Sequence, residues 1–469
     1  MKKIKIFPLL LLLCLLFTAA APGAYALDAP ELNAKAAILV DLNTGRMLYA
    51  KNMDDRRAPA SLTKVMTILL ALEAVDSGEH SLDETVTAGM DCQQGLQDDS
   101  SSVWIVAGEQ MSLRDLIYSA AVASANDACN VIASYLAGSI STFVEQMNTR
   151  AAQLGCTNTR FFDPNGLSND NVTSAYDLYL ITREAMTHPL FMDFCNTADY
   201  NVGPTNVNGA REYHNSNALI SDQSIYGSNY LYKYAAGVKT GYTRAAGYCL
   251  ISTAEKDGML LLGIVMGCDG YYNANIDEYK NFSDSIALYD WAFDSFAYQT
   301  VLSTADPVGR APVELAQGQD EIILHPQEDV VLLLPKEITE EDVSTRVTLY
   351  EDRLVAPLDA GLVLGEATVS IKGEDYAIVR LVNTSAVELA QGEYLKMQIK
   401  AFFSNPWVIA AILIIAVLAI GYIVLVSRYR RLRRRHLKAR REAEERRRKL
   451  RQETEAALRD EDGSWKDLY

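Results

Sequence analysis

Three short stretches of this chain carry residue types that could together attack a carbonyl. The first is Ser61-Leu62-Thr63-Lys64. Residues three apart on a helix share a face, so the Ser61 hydroxyl and the Lys64 amine can meet. A serine hydroxyl is a weak nucleophile until a base takes its proton. A lysine can be that base once burial and nearby cations lower its pKa. A helix N-terminus also favours a developing anion. Taken alone, the pattern more often means a capping serine beside a surface lysine. The second stretch is Ser124-Ala125-Asn126, at the end of an apolar helical run. Serine can relay a proton, and the asparagine amide offers both a donor and an acceptor to a peptide backbone. Alone it reads equally as a helix cap. The third is Lys239-Thr240-Gly241. On an edge strand, Lys239 and Thr240 could bind a carboxylate while the small Gly241 lets backbone approach. Alone it could be a strand-to-turn transition.

These residues need elements to hold them. Residues 37–40, the turn Asn43-Thr44-Gly45 and residues 46–49 read as strand, turn and strand. Pro59 is suited to a first helical turn, and Leu62, Val65, Met66, Leu69 and Leu70 recur at helical spacing after it. Helical patterns follow over 113–136, 140–154 and 175–187. Residues 247–267 read as a hairpin turning at Lys256-Asp257-Gly258, and 282–296 as a closing helix. From about Thr300 short apolar runs alternate with turn residues, which predicts a small all-β domain. No phosphate loop or dinucleotide fingerprint is present, and neither a metal nor an organic cofactor is implied.

The 469 residues suffice for two or three domains, and 49% hydrophobic content allows a sizeable core. The net charge of -17 is unevenly placed. Residues 27–427 hold 24 basic and 51 acidic side chains, which argues against nucleic acid as a partner. Lys2, Lys3 and Lys5, the apolar run 8–20 and Ala24-Tyr25-Ala26 read as a signal peptide over 1–26. A second uncharged apolar run, 407–426, can cross a bilayer, and arginines follow from Arg428 on. The positive-inside rule then expects a single-pass protein with a cytoplasmic tail, 427–469, and a body outside the cytoplasm. The tail reads as a stop-transfer signal on a solvated helix, or else as a dock for anionic lipid or a cytoplasmic partner. The six cysteines of the body could be bridged or simply buried.

In this order and spacing the three stretches resemble the active-site set of penicillin-binding proteins and serine β-lactamases: SxxK, SxN and KTG. Arg57-Ala58-Pro59-Ala60-Ser61-Leu62-Thr63-Lys64, Phe162-Asp163-Pro164-Asn165-Gly166-Leu167 with Ser174-Ala175-Tyr176-Asp177, and Lys239-Thr240-Gly241-Tyr242-Thr243-Arg244-Ala245-Ala246-Gly247-Tyr248 resemble the low-molecular-weight D-Ala-D-Ala carboxypeptidases. The resemblance implies an α/β (α+β) catalytic domain over 27–298, an antiparallel sheet flanked by helices, and a β-rich domain over 300–400. It implies that Ser61 attacks the bond between the terminal D-alanines of a peptidoglycan stem peptide, with Lys64 as base. Ser124 and Asn126 would aid proton transfer and positioning. Lys239 and Thr240, with Gly241, would bind the terminal carboxylate, and the N–H groups of Ser61 and Tyr242 would form an oxyanion hole. β-Lactams would acylate the same serine.

The chain departs from the family where Arg244 replaces an acidic residue and where 268–277 holds no Arg or Lys. Arg244 either supplies part of the missing charge for the carboxylate or simply faces solvent. A class A β-lactamase would need a deacylating glutamate, and 162–177 shows no matching Glu-rich loop. A penicillin sensor would need a larger inner domain, and a Ser-His hydrolase more than this chain's five histidines and missing GxSxG. His214 is expected to be a surface or hydrogen-bonded residue. D,D-endopeptidase activity uses the same residues and is the nearest rival.

Overall fold

A computed structural model describes residues 28–270 and 278–457. The expected signal peptide and residues 271–277 of the loop lacking basic residues lie outside that range. The chain divides into two compact units. One comprises the residues up to Ser303 with Asp329–Ser344 and Val369–Ala377; the other comprises Thr304–Glu328, Thr345–Thr368 and the residues from Ile378 on.

The first unit is built on a five-stranded antiparallel sheet. Its strands are β1 (Ala36–Asp41), β2 (Met47–Lys51), β3 (Ala235–Thr243), β4 (Gly247–Lys256) and β5 (Met259–Cys268), in the order β2-β1-β5-β4-β3. The expected hairpin is thus the β4–β5 pair, and Lys239-Thr240-Gly241 lies on the edge strand β3. Strand residues alternate between two cores, as a sheet covered on both faces requires. Ile38, Val40, Ile251, Leu262 and Ile264 face the larger helical cluster. Leu39, Leu250, Leu261 and Val265 face the other, which includes Phe282, Leu288 and Tyr289 of the closing helix.

The longer helices of this unit are α1 (Lys64–Asp76), α2 (Leu113–Ala121), α3 (Asn126–Ala137), α4 (Ile140–Gln153), α5 (Ala175–Ala185) and α6 (Lys280–Ser295). One differs from the sequence expectation. The helix expected from Pro59 opens as a 3-10 turn, Ala60–Thr63, and becomes α-helical only at Lys64. The helical pattern over 113–136 forms two helices, parted at Ser124-Ala125-Asn126, the expected end of an apolar run, with Ser124 left-handed between α2 and α3 at φ +57°. Ala-Val-Ala before Ser124 has no local reason to stop a helix. Tertiary hydrogen bonds stop it: Asn126 N donates to Ser101 O at 2.9 Å instead of to the preceding turn.

The second unit is β-rich. Gly309–Glu314 pairs antiparallel with Glu321–Pro326 and parallel with Leu354–Val355, and Leu324 to Pro326 pair with Asn383 to Leu381. It ends in α7 (Gln391–Ser404) and a 52-residue helix, α8 (Pro406–Ala457). All six body cysteines are buried and unbridged, and His214 is exposed, with Nδ1 2.6 Å from Asp199 Oδ1.

Candidate active site

Ser61 and Lys64 lie on either side of the 3-10 to α transition, where the tight turn aims both side chains the same way. Ser61 is half-exposed, whereas Lys64 is fully buried. Three oxygens surround Lys64 Nζ: Ser61 Oγ at 2.8 Å, Asn126 Oδ1 at 2.6 Å and the carbonyl of Asn165 at 2.7 Å. Burial pushes the Lys64 pKa down, and the nearby Cys129, Asp163 and Asp127 oppose that shift only in part. A neutral amine has two N–H bonds and one lone pair. The Asn165 carbonyl and Asn126 Oδ1 can only accept, so in the neutral amine they would take both hydrogens. The lone pair would then be left for the Ser61 hydroxyl.

That arrangement depends on the loop 162–171. Asp163 accepts from the N–H groups of Asn165, Gly166 and Ser168 and from Asn171 Nδ2, at 2.5 to 3.1 Å. Thr67 Oγ1 on α1 donates to Pro164 O at 2.5 Å, and Asn165 Nδ2 donates to Asn130 Oδ1 on α3 at 3.0 Å. Gly166 is at φ +91°, and a Cβ there would stand 1.9 Å from the Ala60 carbonyl. Only glycine lets this loop close on the nucleophile turn. Asp127, beside Asn126, is a second anchor: its carboxylate accepts from Ser102 Oγ and from the N–H groups of Val103 and Ile105.

Strand β3 closes the other side. A Cβ on Gly241 would lie 3.0 Å from Pro59 O and 3.2 Å from Ser61 N, so the strand backbone abuts the nucleophile turn. Lys239 is buried, and its Nζ makes one long hydrogen bond among the described residues, 3.3 Å to Thr240 O. Burial, and next the charge of Lys64, push its pKa down to about 7. Thr240 Oγ1 lies 2.5 Å from Ser216 Oγ. The Tyr242 ring stacks on Tyr248 with centroids 4.3 Å apart.

The structure therefore joins Ser61, Lys64 and Asn126 directly and sets Gly241 against them. It couples Lys239 to Lys64 by charge, and Thr240 to Ser216 by a hydrogen bond. Ser124 is buried at the helix break, and its hydroxyl makes no protein hydrogen bond among the described residues, which leaves it available. Arg244 is exposed in the turn between β3 and β4. Sequence reasoning gave no role to Asp163, Asn165, Gly166, Asp127 or Ser216. The Asp-Pro-Asn-Gly string signals a tight turn but does not say that a carbonyl within it meets Lys64.

Comparison with known proteins identifies the family. Residues 24–270 match the family described as D-alanyl-D-alanine carboxypeptidase, and residues 296–389 match the penicillin-binding protein 5 C-terminal domain. The D-alanyl-D-alanine carboxypeptidase DacF of Bacillus subtilis is 31% identical over 375 residues, covering 78% of this chain and 90% of that protein. The crystal structure of penicillin-binding protein 5 from Haemophilus influenzae superposes with a TM-score of 0.58 at 29% identity, over 77% of this chain and 99% of that one. Penicillin-binding protein 6B from Escherichia coli gives 0.59 at 27% identity, over 76% and 98%.

Proposed function

Because the chain belongs to the D-alanyl-D-alanine carboxypeptidase family, whose members are serine-type hydrolases, we propose a residue-by-residue course for its reaction. The substrate is a peptidoglycan stem peptide ending in D-Ala-D-Ala. Its terminal carboxylate meets Lys239 and Thr240, and that anion restores the proton that Lys239 holds weakly in the free protein. A charged Lys239 in turn keeps the nearby Lys64 neutral. Lys64 Nζ takes the Ser61 proton while Oγ attacks the carbonyl carbon between the two D-alanines. The N–H groups of Ser61 and Tyr242 receive the oxyanion. Collapse of the tetrahedral intermediate breaks the C–N bond, and a proton passes to the leaving amine with Ser124 as relay. Water then cleaves the Ser61 ester, and Lys64 again serves as base. β-Lactams acylate Ser61 by the same first step.

The observation that carries this reading is the buried Lys64 amine, with Ser61 Oγ and two oxygens that can only accept all within 2.8 Å of Nζ. The membrane arrangement belongs to the same proposal. Residues 1–26 act as a signal peptide, 27–298 form the catalytic domain, and 300–400 a β-rich spacer. The 407–426 segment of α8 is a single span, with mean hydropathy 3.1 in its most apolar window, and 427–469 lies in the cytoplasm.

The test is D-alanine release by the full chain from a peptide ending in D-Ala-D-Ala. Release should be blocked by penicillin and absent in Ser61→Ala. Covalent penicillin at Ser61 without D-alanine release would reject the carboxypeptidase assignment and favour cleavage of cross-links instead.

A further inference from the structure

The apolar part of α8, residues 407–426, is about 30 Å long at 1.5 Å per residue, the thickness of a bilayer's hydrocarbon core. On the membrane reading proposed above, on which this inference rests, Arg428 enters the headgroup layer. Six arginines then occupy eight positions: Arg428, Arg430, Arg431, Arg433, Arg434 and Arg435. None has an acidic residue three or four positions away, and none forms an ion pair among the described residues. The cations just beyond them differ. Lys438 faces Glu442 at 3.9 Å, and Arg440 faces Glu444 at 3.8 Å, both four positions on. From residue 442 onward the chain holds 7 basic and 9 acidic side chains. Uncompensated charge is thus confined to the first two turns or so outside the span, about 12 Å of helix.

The distribution around the axis is informative as well. At 3.6 residues per turn the six arginines spread over about 220° of the circumference, with Tyr429 and Leu432 in the remaining sector. A groove on an acidic protein or the backbone of a nucleic acid would meet one face only. A second copy of this helix would bring like charges together. Lipid headgroups surround a span from all sides, and a guanidinium binds a phosphate through two parallel hydrogen bonds.

We propose that Arg428 to Arg435 form a collar that selects anionic phospholipids around the span, beyond the role of fixing its orientation. The collar gathers phosphates of the leaflet it enters, and the paired charges further along the helix take no part.

The full chain would be reconstituted in phosphatidylcholine vesicles with spin-labelled phosphatidylglycerol or spin-labelled phosphatidylcholine, and the motionally restricted fraction of each measured by electron spin resonance. Phosphatidylglycerol should be preferred by about threefold or more, and the preference should fall toward one in about 1 M salt. The variant Arg431→Gln/Arg433→Gln/Arg434→Gln/Arg435→Gln, which keeps Arg428 and Arg430, should lose the preference. The variant Lys438→Gln/Arg440→Gln/Arg441→Gln should keep it. Both variants should release D-alanine at the wild-type rate, which reports an intact catalytic unit. Equal association of the two lipids with the wild type overturns the collar, as does equal loss in the two variants. Failure of the chain to float with the vesicles overturns the membrane reading itself, and the collar with it.

Discussion

Two lysines lie buried in the active site, and the protein treats them differently. Lys64 has three oxygens within 2.8 Å, all supplied by the chain. Lys239 is as deeply buried but, among the described residues, has a single 3.3 Å contact to a carbonyl. A buried amine whose polar contacts are all supplied by the chain, a hydroxyl among them, is positioned for proton transfer before substrate arrives. One with few partners is costly to keep charged and gains most from an incoming anion. The difference separates a base from a carboxylate receptor, although both residues carry the same functional group.

The sharpest way to break this contrast is to exchange the base for a permanent cation. Lys64→Arg fixes a charge at this position and cannot accept a proton at neutral pH, so kcat for D-alanine release should fall about 10²- to 10⁴-fold. A change under tenfold would remove Lys64 from that role. Next is the loop that supplies the Asn165 carbonyl. In Gly166→Ala the new Cβ meets the Ala60 carbonyl at a positive φ, so the loop must back away from Lys64. Stability should fall by about 1–3 kcal/mol in thermal unfolding, and kcat should fall more than KM rises. On the receptor side, Lys239→Ala removes a charged hydrogen bond to substrate, and KM should rise about tenfold to a hundredfold.

Lys239 also predicts a pH effect on stability. Its folded pKa, near 7, lies below its ordinary value of 10.5. Between those values the unfolded chain binds a proton that the folded chain does not. The folded state therefore loses stability as pH falls from about 10.5 toward 7. Lys239→Met should raise the Tm at pH 7, and the gain should shrink as pH approaches 10.5. A gain independent of pH would mean that packing, and not ionisation, is responsible. The smallest effect belongs to Arg244, exposed at the β3–β4 turn. If it contributes charge to carboxylate binding, Arg244→Ala should raise KM about threefold to tenfold without changing kcat. Unchanged kinetics would confine the receptor to Lys239 and Thr240.

The contrast between the lysines was only half legible in the sequence. Side-chain chemistry was readable: Ser61, Lys64, Asn126, Lys239 and Thr240 announce themselves by type and spacing. So were the strands of the central sheet and the turn at Lys256-Asp257-Gly258, because local pattern dictates them. What escaped reading was backbone chemistry and long-range capture. The Asn165 carbonyl has no residue-type signature, since every residue carries a carbonyl. The break between α2 and α3 is set by Asp127 and Asn126 gripping 101–105, more than twenty residues back, and helix propensity cannot report it.

The most direct test of the two roles is the rate at which penicillin acylates Ser61, followed by intact mass in single-turnover experiments at rising concentration. Wild type, Lys64→Arg and Lys239→Arg would be compared. Lys64→Arg should lower the saturating rate about 10²-fold or more, whereas Lys239→Arg should keep that rate within about tenfold and mainly raise the half-saturating concentration. A saturating rate that collapses in Lys239→Arg and survives in Lys64→Arg would contradict these roles, and would make Lys239 the base.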